Sequence, residues 1–467
     1  MDAETIRTSI ASRRERLIAI SDQIWEYAET RFQEQRSAEL ICLALEEAGF
    51  HVERGAGGID TAFIGSYGSG HPVIAVLGEY DALSGLSQMA GQATYAPLVE
   101  GGNGHGCGHN LLGTASLGAV LALKEQMEQH GLEGTIRYYG CPAEEGGSGK
   151  TFMVRAGLFD DVDGAVTWHP FDYHSVMSVH TLANYQYYYR FKGRSAHAAA
   201  APHLGRSALD AAELMNVGVN YLREHIVQEA RIHYALTDSG GHSPNVVQSQ
   251  AEVLYLIRAP HIRQAADIAE RVHNVARGAA LMTGTEVEII FDKACSEIVP
   301  NRTLEQVVDE QFRRFSLPEH TADELALAEA IRESLTDEEK QASWQLPPSQ
   351  RELALANEIL PYEHGKWLSG STDVADVSWV TPTVQCTTAC FVNSTAAHSW
   401  QWVAVGKTSI AHKGMLYAAE IMAATALEML TRPELLAAAR QELEERLHGQ
   451  EYVCPIPAEV QPNIPVK

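Results

Sequence analysis

The sequence predicts an α/β protein: a mostly parallel sheet with helices on both faces, carrying an inserted α+β unit of four strands and two helices. Two observations carry that expectation. Short continuous apolar runs at 73–77, 135–139, 164–168 and 383–392 are separated by helical stretches such as 111–129, the pattern of strands buried on both faces. Between about 184 and 298 the pattern changes: strands are expected at 185–191, 230–236, 252–258 and 286–291, with helical periodicity at 207–223 and 262–281.

In chain order, apolar positions recur at helical spacing from Glu4 to about Gly49, through Leu17, Ile20, Ile24 and then Ile41 and Leu45. Two opening helices are expected there, with Gly49 as the stop. The 467 residues exceed what one core usually holds. The expected division is 1–183 and 299–467 for the two parts of a catalytic domain, and 184–298 for the inserted lid and dimerisation unit. The stretch 319–346 is acidic and helix-prone, and reads as solvated helix. A buried helix is expected at 410–430 and an exposed terminal one at 433–447.

A formal charge of -25, with lysines and arginines scattered, argues against nucleic acid or an anionic membrane as partner. No run of eighteen apolar residues suits a membrane span. Seven cysteines, odd in number and widely spaced, favour a reducing compartment over a disulfide framework. The N-terminus lacks a basic stretch followed by an apolar one, so a cytoplasmic location is expected.

The chemistry is carried by the residues just after each apolar run: Glu79 and Asp81, then Glu144 and Glu145, then His169, then His398. In an open α/β sheet the ligand crevice lies outside the carboxyl ends of the strands, so these side chains would converge. Gly104-His105-Gly106-Cys107-Gly108-His109-Asn110 adds a thiol and imidazoles, and its glycines permit a tight turn that aims Cys107 and His109 at one spot. Thiolate with imidazole suits zinc; added carboxylates also admit manganese or cobalt. Glu144 and Glu145 are adjacent, so their side chains diverge: one can bind metal while the other faces the bound water. The plain alternatives are a buried thiol in a glycine-rich turn, a glutamate pair on a surface turn, and surface histidines at His169 and His398. His197, just after the insert's first strand, could reach the cleft as an oxyanion donor or simply face solvent.

The motifs Gly78-Glu79-Tyr80-Asp81-Ala82-Leu83, Gly106-Cys107-Gly108-His109-Asn110, Pro142-Ala143-Glu144-Glu145-Gly146-Gly147, Ser195-Ala196-His197-Ala198-Ala199 and Ser243-Pro244-Asn245-Val246-Val247 run across nearly the whole chain. Together they resemble the dinuclear metal-dependent amidohydrolases and peptidases that include aminoacylases, carboxypeptidase G-type enzymes, hippurate hydrolases and plant indole-acetyl-amino-acid hydrolases. The resemblance implies two divalent ions, zinc or manganese, bridged by Cys107. Glu145 with His398 would complete one site and His109 with His169 the other. Glu144 would be the general acid/base and Asp81 a carboxylate that orients a ligand. Glu79 stands where many relatives have a metal-binding histidine, a departure from the pattern.

The same resemblance makes the insert a lid that commonly mediates dimerisation. His197 and Asn245 match its substrate-facing positions, and Arg258 is a further candidate for holding a carboxylate. The implied reaction is hydrolysis of the amide between an aromatic acyl group and an amino acid, as in p-aminobenzoyl-glutamate. A small N-acyl amino acid would be the substrate, and a homodimer or a homologous sister subunit the partner. The alternatives are a dipeptidase, a deaminating or deamidating relative, or a non-catalytic metal-binding subunit that requires a partner.

Overall fold

The computed structural model describes residues 3–342 and 346–462. Its main sheet has seven strands in the order His51–Arg54, Phe63–Ser69, Gly134–Cys141, Val73–Glu79, Gly164–Phe171, Thr383–Ala389 and Ser175–Val176. The central four run parallel, and the strands beyond them pair antiparallel. The mostly parallel α/β sheet expected from the apolar runs is therefore present.

Side chains along a strand point alternately to opposite faces. In Val73–Glu79, Ile74 and Val76 join a core formed with the helices Arg14–Tyr27, His109–His130 and Ser409–Thr431. Val73, Ala75 and Leu77 join a second core on the other face, with Phe152 and Met153 of helix Gly149–Arg155 and Val374 and Val377 of helix Val374–Val380. Burial on both sides explains why these strands read as unbroken apolar runs.

The insert is a four-stranded antiparallel sheet in the order Glu286–Cys295, Ala183–Lys192, Gln250–Ala259, Arg231–Asp238. Helices Ala208–Leu222 and Ile262–Thr283 cover one face, around a core that includes Met215, Val272, Tyr189 and Tyr255. The strand Gln250–Ala259 buries every second residue, as expected with helices on one face only. Opposite Ala183–Lys192, the register of Glu286–Cys295 shifts between Phe291 and Lys293, a bulge at Asp292.

Three expectations need correction. The chain opens with three helices rather than two, Ala3–Ser12, Arg14–Tyr27 and Gln35–Glu47. Arg13 has non-helical dihedrals and Ala28 turns left-handed at φ 42°, so the periodicity runs through real breaks. In the acidic stretch, helix Ala322–Arg332 is not simply solvated: Ala328 and Ile331 are buried, and Glu324 both caps its helix with Thr321 and pairs with Lys413 at 2.6 Å. Residues 343–345 of that stretch lie outside the described residues. Helix Pro433–Leu447 buries Leu435, Leu436, Ala439 and Leu443, so only part of its surface is exposed. Among the described residues no helix is long and apolar enough to cross a membrane.

Candidate metal centre

The carboxyl ends of the parallel strands gather the candidate residues. Val73–Glu79 delivers Glu79 and Asp81, Gly134–Cys141 runs into the turn Glu144–Gly147, and His169 sits inside the last part of Gly164–Phe171. The loop after Thr383–Ala389 brings His398, whose backbone N–H donates to the carbonyl of Gly106 at 2.8 Å. That bond ties the histidine loop to the cysteine loop. Glycine is required at 108: φ is +73°, and a Cβ would come within 2.8 Å of both Phe391 and Pro170.

One ligand atom each from Cys107, His109 and His169 lies within 4.8 Å of the others, and the same holds for Cys107, Glu145 and His398. The two triads share the sulfur. Cys107 Sγ is 3.4 Å from His169 Nε2, and His398 Nε2 is 3.2 Å from Glu145 Oε1. Glu79, His109 and Glu144 form a third group within the same limit.

The ring orientations are set from outside the cluster. Asp81 Oδ1 lies 2.9 Å from His109 Nδ1, while its Oδ2 accepts from the backbone N–H of Glu145 at 2.9 Å. His169 Nδ1 is 2.8 Å from the carbonyl of Pro170. Each ring thus turns its Nε2 inward, the arrangement by which a carboxylate or carbonyl orients a ligating imidazole. His109 Nε2 and Glu145 Oε1 are buried, and each lies 3.2 Å from another candidate ligand atom, Glu79 Oε2 and His398 Nε2 respectively, without a well-aligned hydrogen bond. They face a thiol, imidazoles and carboxylates, so the buried polar atoms here converge on one another. The donor set fits divalent cations such as zinc or manganese.

Burial and then the positive field of His109 push His169 down to about 4, so the ring is neutral, the ligating form. Burial, followed by the charges of Glu79 and Glu145, pushes Glu144 up to about 8. Burial, with Glu145 next, also raises the Cys107 thiol. Bonds to Cys107 and Glu145 push His398 up to about 11.

Two supports were not legible in the sequence. Lys150, fully buried, places Nζ 2.6 Å from both Glu79 Oε1 and Asp373 Oδ1. Burial alone would lower its pKa, but Asp373 and Glu79 outweigh that and hold it charged. Glu79 is thereby engaged by a lysine, with its other oxygen 3.2 Å from His109 Nε2. The second support is Glu34, also fully buried. Its Oε1 accepts from the backbone N–H groups of Phe32 at 2.9 Å and Ala143 at 3.0 Å, and its Oε2 accepts from Thr61 Oγ1 at 3.0 Å. Ala143 is left-handed at φ 58°, a strained conformation for alanine, so this carboxyl pins the entry to the Glu144 turn.

Glu34 yields a pH prediction. Burial, then Asp81, raises its pKa from 4.5 to about 8. Its folded value stands above its unfolded one, so the stability it contributes is complete below 4.5 and is lost as pH rises to about 8. Glu34→Gln keeps both accepted amide bonds and can donate to Thr61. Urea unfolding across this window should show a shallower decline with pH for the variant than for the parent; parallel curves would count against it.

The remaining candidates lie on the insert. The His197 side chain is exposed, and its Nδ1 accepts from the N–H groups of Ala199 and Ala200 at 3.2 Å. Asn245 is its neighbour, through a bond from Ala198 N–H to the Asn245 carbonyl at 2.9 Å. Among the described residues no hydrogen bond or ion pair joins either to the metal-ligand cluster. Arg258 is half-buried at the other end of the sheet strand, donates to Ser371 Oγ at 2.7 Å and lies within range of the Glu144 charge. A cavity of about 720 Å³, lined among others by Tyr185, His261, Trp379 and Tyr452, contains none of these site residues. What marks this centre is the convergence of its donor atoms.

Residues 75–457 match the profile of Peptidase family M20/M25/M40. The chain belongs to that family. Membership makes it a hydrolase of amide bonds, as the motifs imply. It is 53% identical to one of the subunits of p-aminobenzoyl-glutamate hydrolase of Escherichia coli (strain K12), over 98% of each chain. It is 27% identical to an Xaa-Arg dipeptidase of Mus musculus, over 94% of this chain and 91% of the relative. Among solved structures, an aminobenzoyl-glutamate utilization protein from Klebsiella pneumoniae superposes with a TM-score of 0.61 at 19% identity, covering 91% of this chain and 98% of the other. The Bacillus subtilis YXEP protein, described as a dinuclear metal binding peptidase from the M20 family, gives 0.57 at 18% identity, covering 90% and 99%. These two likenesses show that the M20/M25/M40 fold extends through the insert.

Proposed function

We propose that the chain hydrolyses the amide of p-aminobenzoyl-glutamate or a closely similar aromatic acyl-amino acid, with two divalent cations, zinc or manganese. The observation that carries this reading is the pair of donor triads sharing Cys107. The 53% identity to a protein named for that substrate supports the choice of amide. In this reading His109 and His169 would hold one cation and Glu145 and His398 the other, with Cys107 shared by the two donor sets. When bound, such cations acidify a water and polarise the scissile carbonyl.

The chain's own groups do the rest. Asp81 keeps the His109 ring and the Glu145 backbone in register through its two oxygens. Glu144, grouped with His109 beside the shared thiol, takes the proton of the attacking water and delivers it to the departing amide nitrogen, and the positive charge of bound cations would keep it in the carboxylate form a base needs. His197 donates to the oxyanion, and Asn245 and Arg258 hold the carboxylate of the amino acid. These three act from the insert, residues 184–298, which serves as the lid between the two parts of the catalytic domain, 1–183 and 299–467. The location is cytoplasmic.

The insert also offers a surface for a second chain. Val217 and Tyr221 on helix Ala208–Leu222, with Tyr234 and Leu236 on the edge strand Arg231–Asp238, are exposed apolar side chains. Edge strands with such neighbours invite pairing. A homodimer, or assembly with a homologous subunit, would cover them; two relatives are named as different subunits of one hydrolase.

The decisive experiment assays the purified chain, with its metal content measured, on p-aminobenzoyl-glutamate, hippurate and Xaa-Arg dipeptides. Preferential turnover of p-aminobenzoyl-glutamate is expected. Turnover of the dipeptides alone would favour the dipeptidase reading, which the likeness to an Xaa-Arg dipeptidase also supports. Full metal with no turnover of any amide would favour a non-catalytic subunit. Cys107→Ala should lower the metal bound per chain after dialysis, measured by atomic emission, because both triads lose their shared donor. An unchanged metal count would make the thiol a bystander.

A further inference from the structure

The turn that carries Glu144 and Glu145 is held from two sides that belong to different folding units. From the main unit, Glu34 accepts the N–H of Ala143 and Asp81, just after strand Val73–Glu79, accepts the N–H of Glu145. From the insert, Lys293 Nζ donates to the Glu145 carbonyl at 2.6 Å. The backbone of one residue is therefore fixed by the main unit at its nitrogen and by the insert at its carbonyl.

Lys293 reaches that carbonyl because of the bulge beside it. The extra residue, Asp292, drops out of the ladder with Ala183–Lys192, and a bulge redirects the side chains around it. Asp292 turns inward, where its Oδ1 meets Arg31 Nη1 at 2.9 Å and its Oδ2 accepts from Gln186 Nε2 at 2.6 Å. Arg31 belongs to the main unit and lies against the same turn: a Cβ on Gly146 would stand 3.2 Å from Arg31 Cδ. Two consecutive insert residues thus grip the turn, one directly and one through Arg31. The Arg31–Asp292 pair is largely buried, with 12% and 6% side-chain exposure, so it is screened less than a surface pair.

We propose that Lys293 is a positioning residue that couples the seat of the insert to the acid/base turn, so that Glu144 is held in its working position only when the insert is docked. The inference rests on the acid/base reading of Glu144 under the proposed function. Lys293 touches no reacting atom and acts through the Glu145 backbone. A misplacement of about 1 Å at a catalytic group can lower a rate by about a hundredfold, so loosening one of three anchors has room to show in kcat.

The test is a cycle of variants in the full-length protein, with kcat, KM, metal content and melting temperature measured for each. Lys293→Met should lower kcat by about tenfold, a fraction of that hundredfold limit, with KM within about twofold and metal and melting temperature retained. Lys293→Arg, which restores a cationic donor, should recover most of the loss. Added to Glu144→Gln, the Met variant should lower kcat no further, because groups acting as one unit are not additive. A wild-type kcat in Lys293→Met, or the same fold loss on top of Glu144→Gln, overturns the coupling. If Lys293→Met does not fold, Lys293→Gln carries the test: a lowered kcat supports the coupling and a wild-type kcat overturns it. Wild-type turnover in Glu144→Gln alone would instead remove the acid/base assignment, an outcome distinct from all of these.

Discussion

Glu144→Gln loses more than about a hundredfold in kcat while keeping its full complement of metal; that is the expected result of removing the proposed general base without disturbing the donor triads. Glutamine has the same shape and no titratable proton, and Glu144 belongs to neither triad that shares Cys107. Burial, then the charges of Glu79 and Glu145, pushes the native carboxyl up to about 8, and the positive charge of bound cations would draw it back toward the ionised form a base needs. Neighbouring Glu145 is pulled the other way, to about 2: burial would raise it, but the bond to His398 and the charge of His109 outweigh that. Two adjacent and chemically identical side chains are thereby shifted in opposite directions by their surroundings alone. Single-turnover rates with metal content on the same samples check the result. Retained turnover would move the base to another group, and lost metal would move Glu144 among the ligands.

Lys150→Met should reduce the unfolding free energy by about 3–5 kcal/mol, the range for breaking a buried ion pair from one side. The methionine fills much of the volume but leaves Glu79 and Asp373, both buried, facing each other without a cation. Removing Lys150 should also disturb the centre itself, since Glu79 is the group beside His109 Nε2. Urea unfolding measures the first effect. A loss under about 1 kcal/mol, the scale of an exposed pair, would show that solvent reaches the cluster and that the buried-pair reading is wrong.

The framework of this protein is legible in its sequence because burial on both faces leaves a plain mark. Ile74, Val76, Val73, Ala75 and Leu77 must all be apolar when two cores share one strand. The convergence of Cys107, His109, Glu145, His169 and His398 was likewise readable, because parallel strands send their carboxyl ends to one edge. Periodicity reports whether a position is buried, however, and says nothing of which buried charges meet. Lys150 follows the glycine turn in sequence and looks like any surface lysine; only the fold brings Asp373 to it. Glu34 sits between two helices in a stretch read as two helices with no role for the residues joining them, and its partners Ala143 and Thr61 are distant in the chain. Lys293 depends on a bulge, which an alternating pattern does not announce.

The placement of strand Thr383–Ala389 has a consequence for how the enzyme comes into being. It is not an edge strand: it lies between Gly164–Phe171 and Ser175–Val176, so a slot inside the sheet waits for a segment made late in translation. His398 arrives with that segment, and its backbone then locks onto Gly106. A growing polypeptide emerging from the ribosome can offer Cys107, His109, Glu145 and His169 long before the last imidazole exists. His398 thus joins the other four side chains only through a strand that enters the sheet from the far end of the sequence, so the cluster and the interior of the sheet are completed by the same segment.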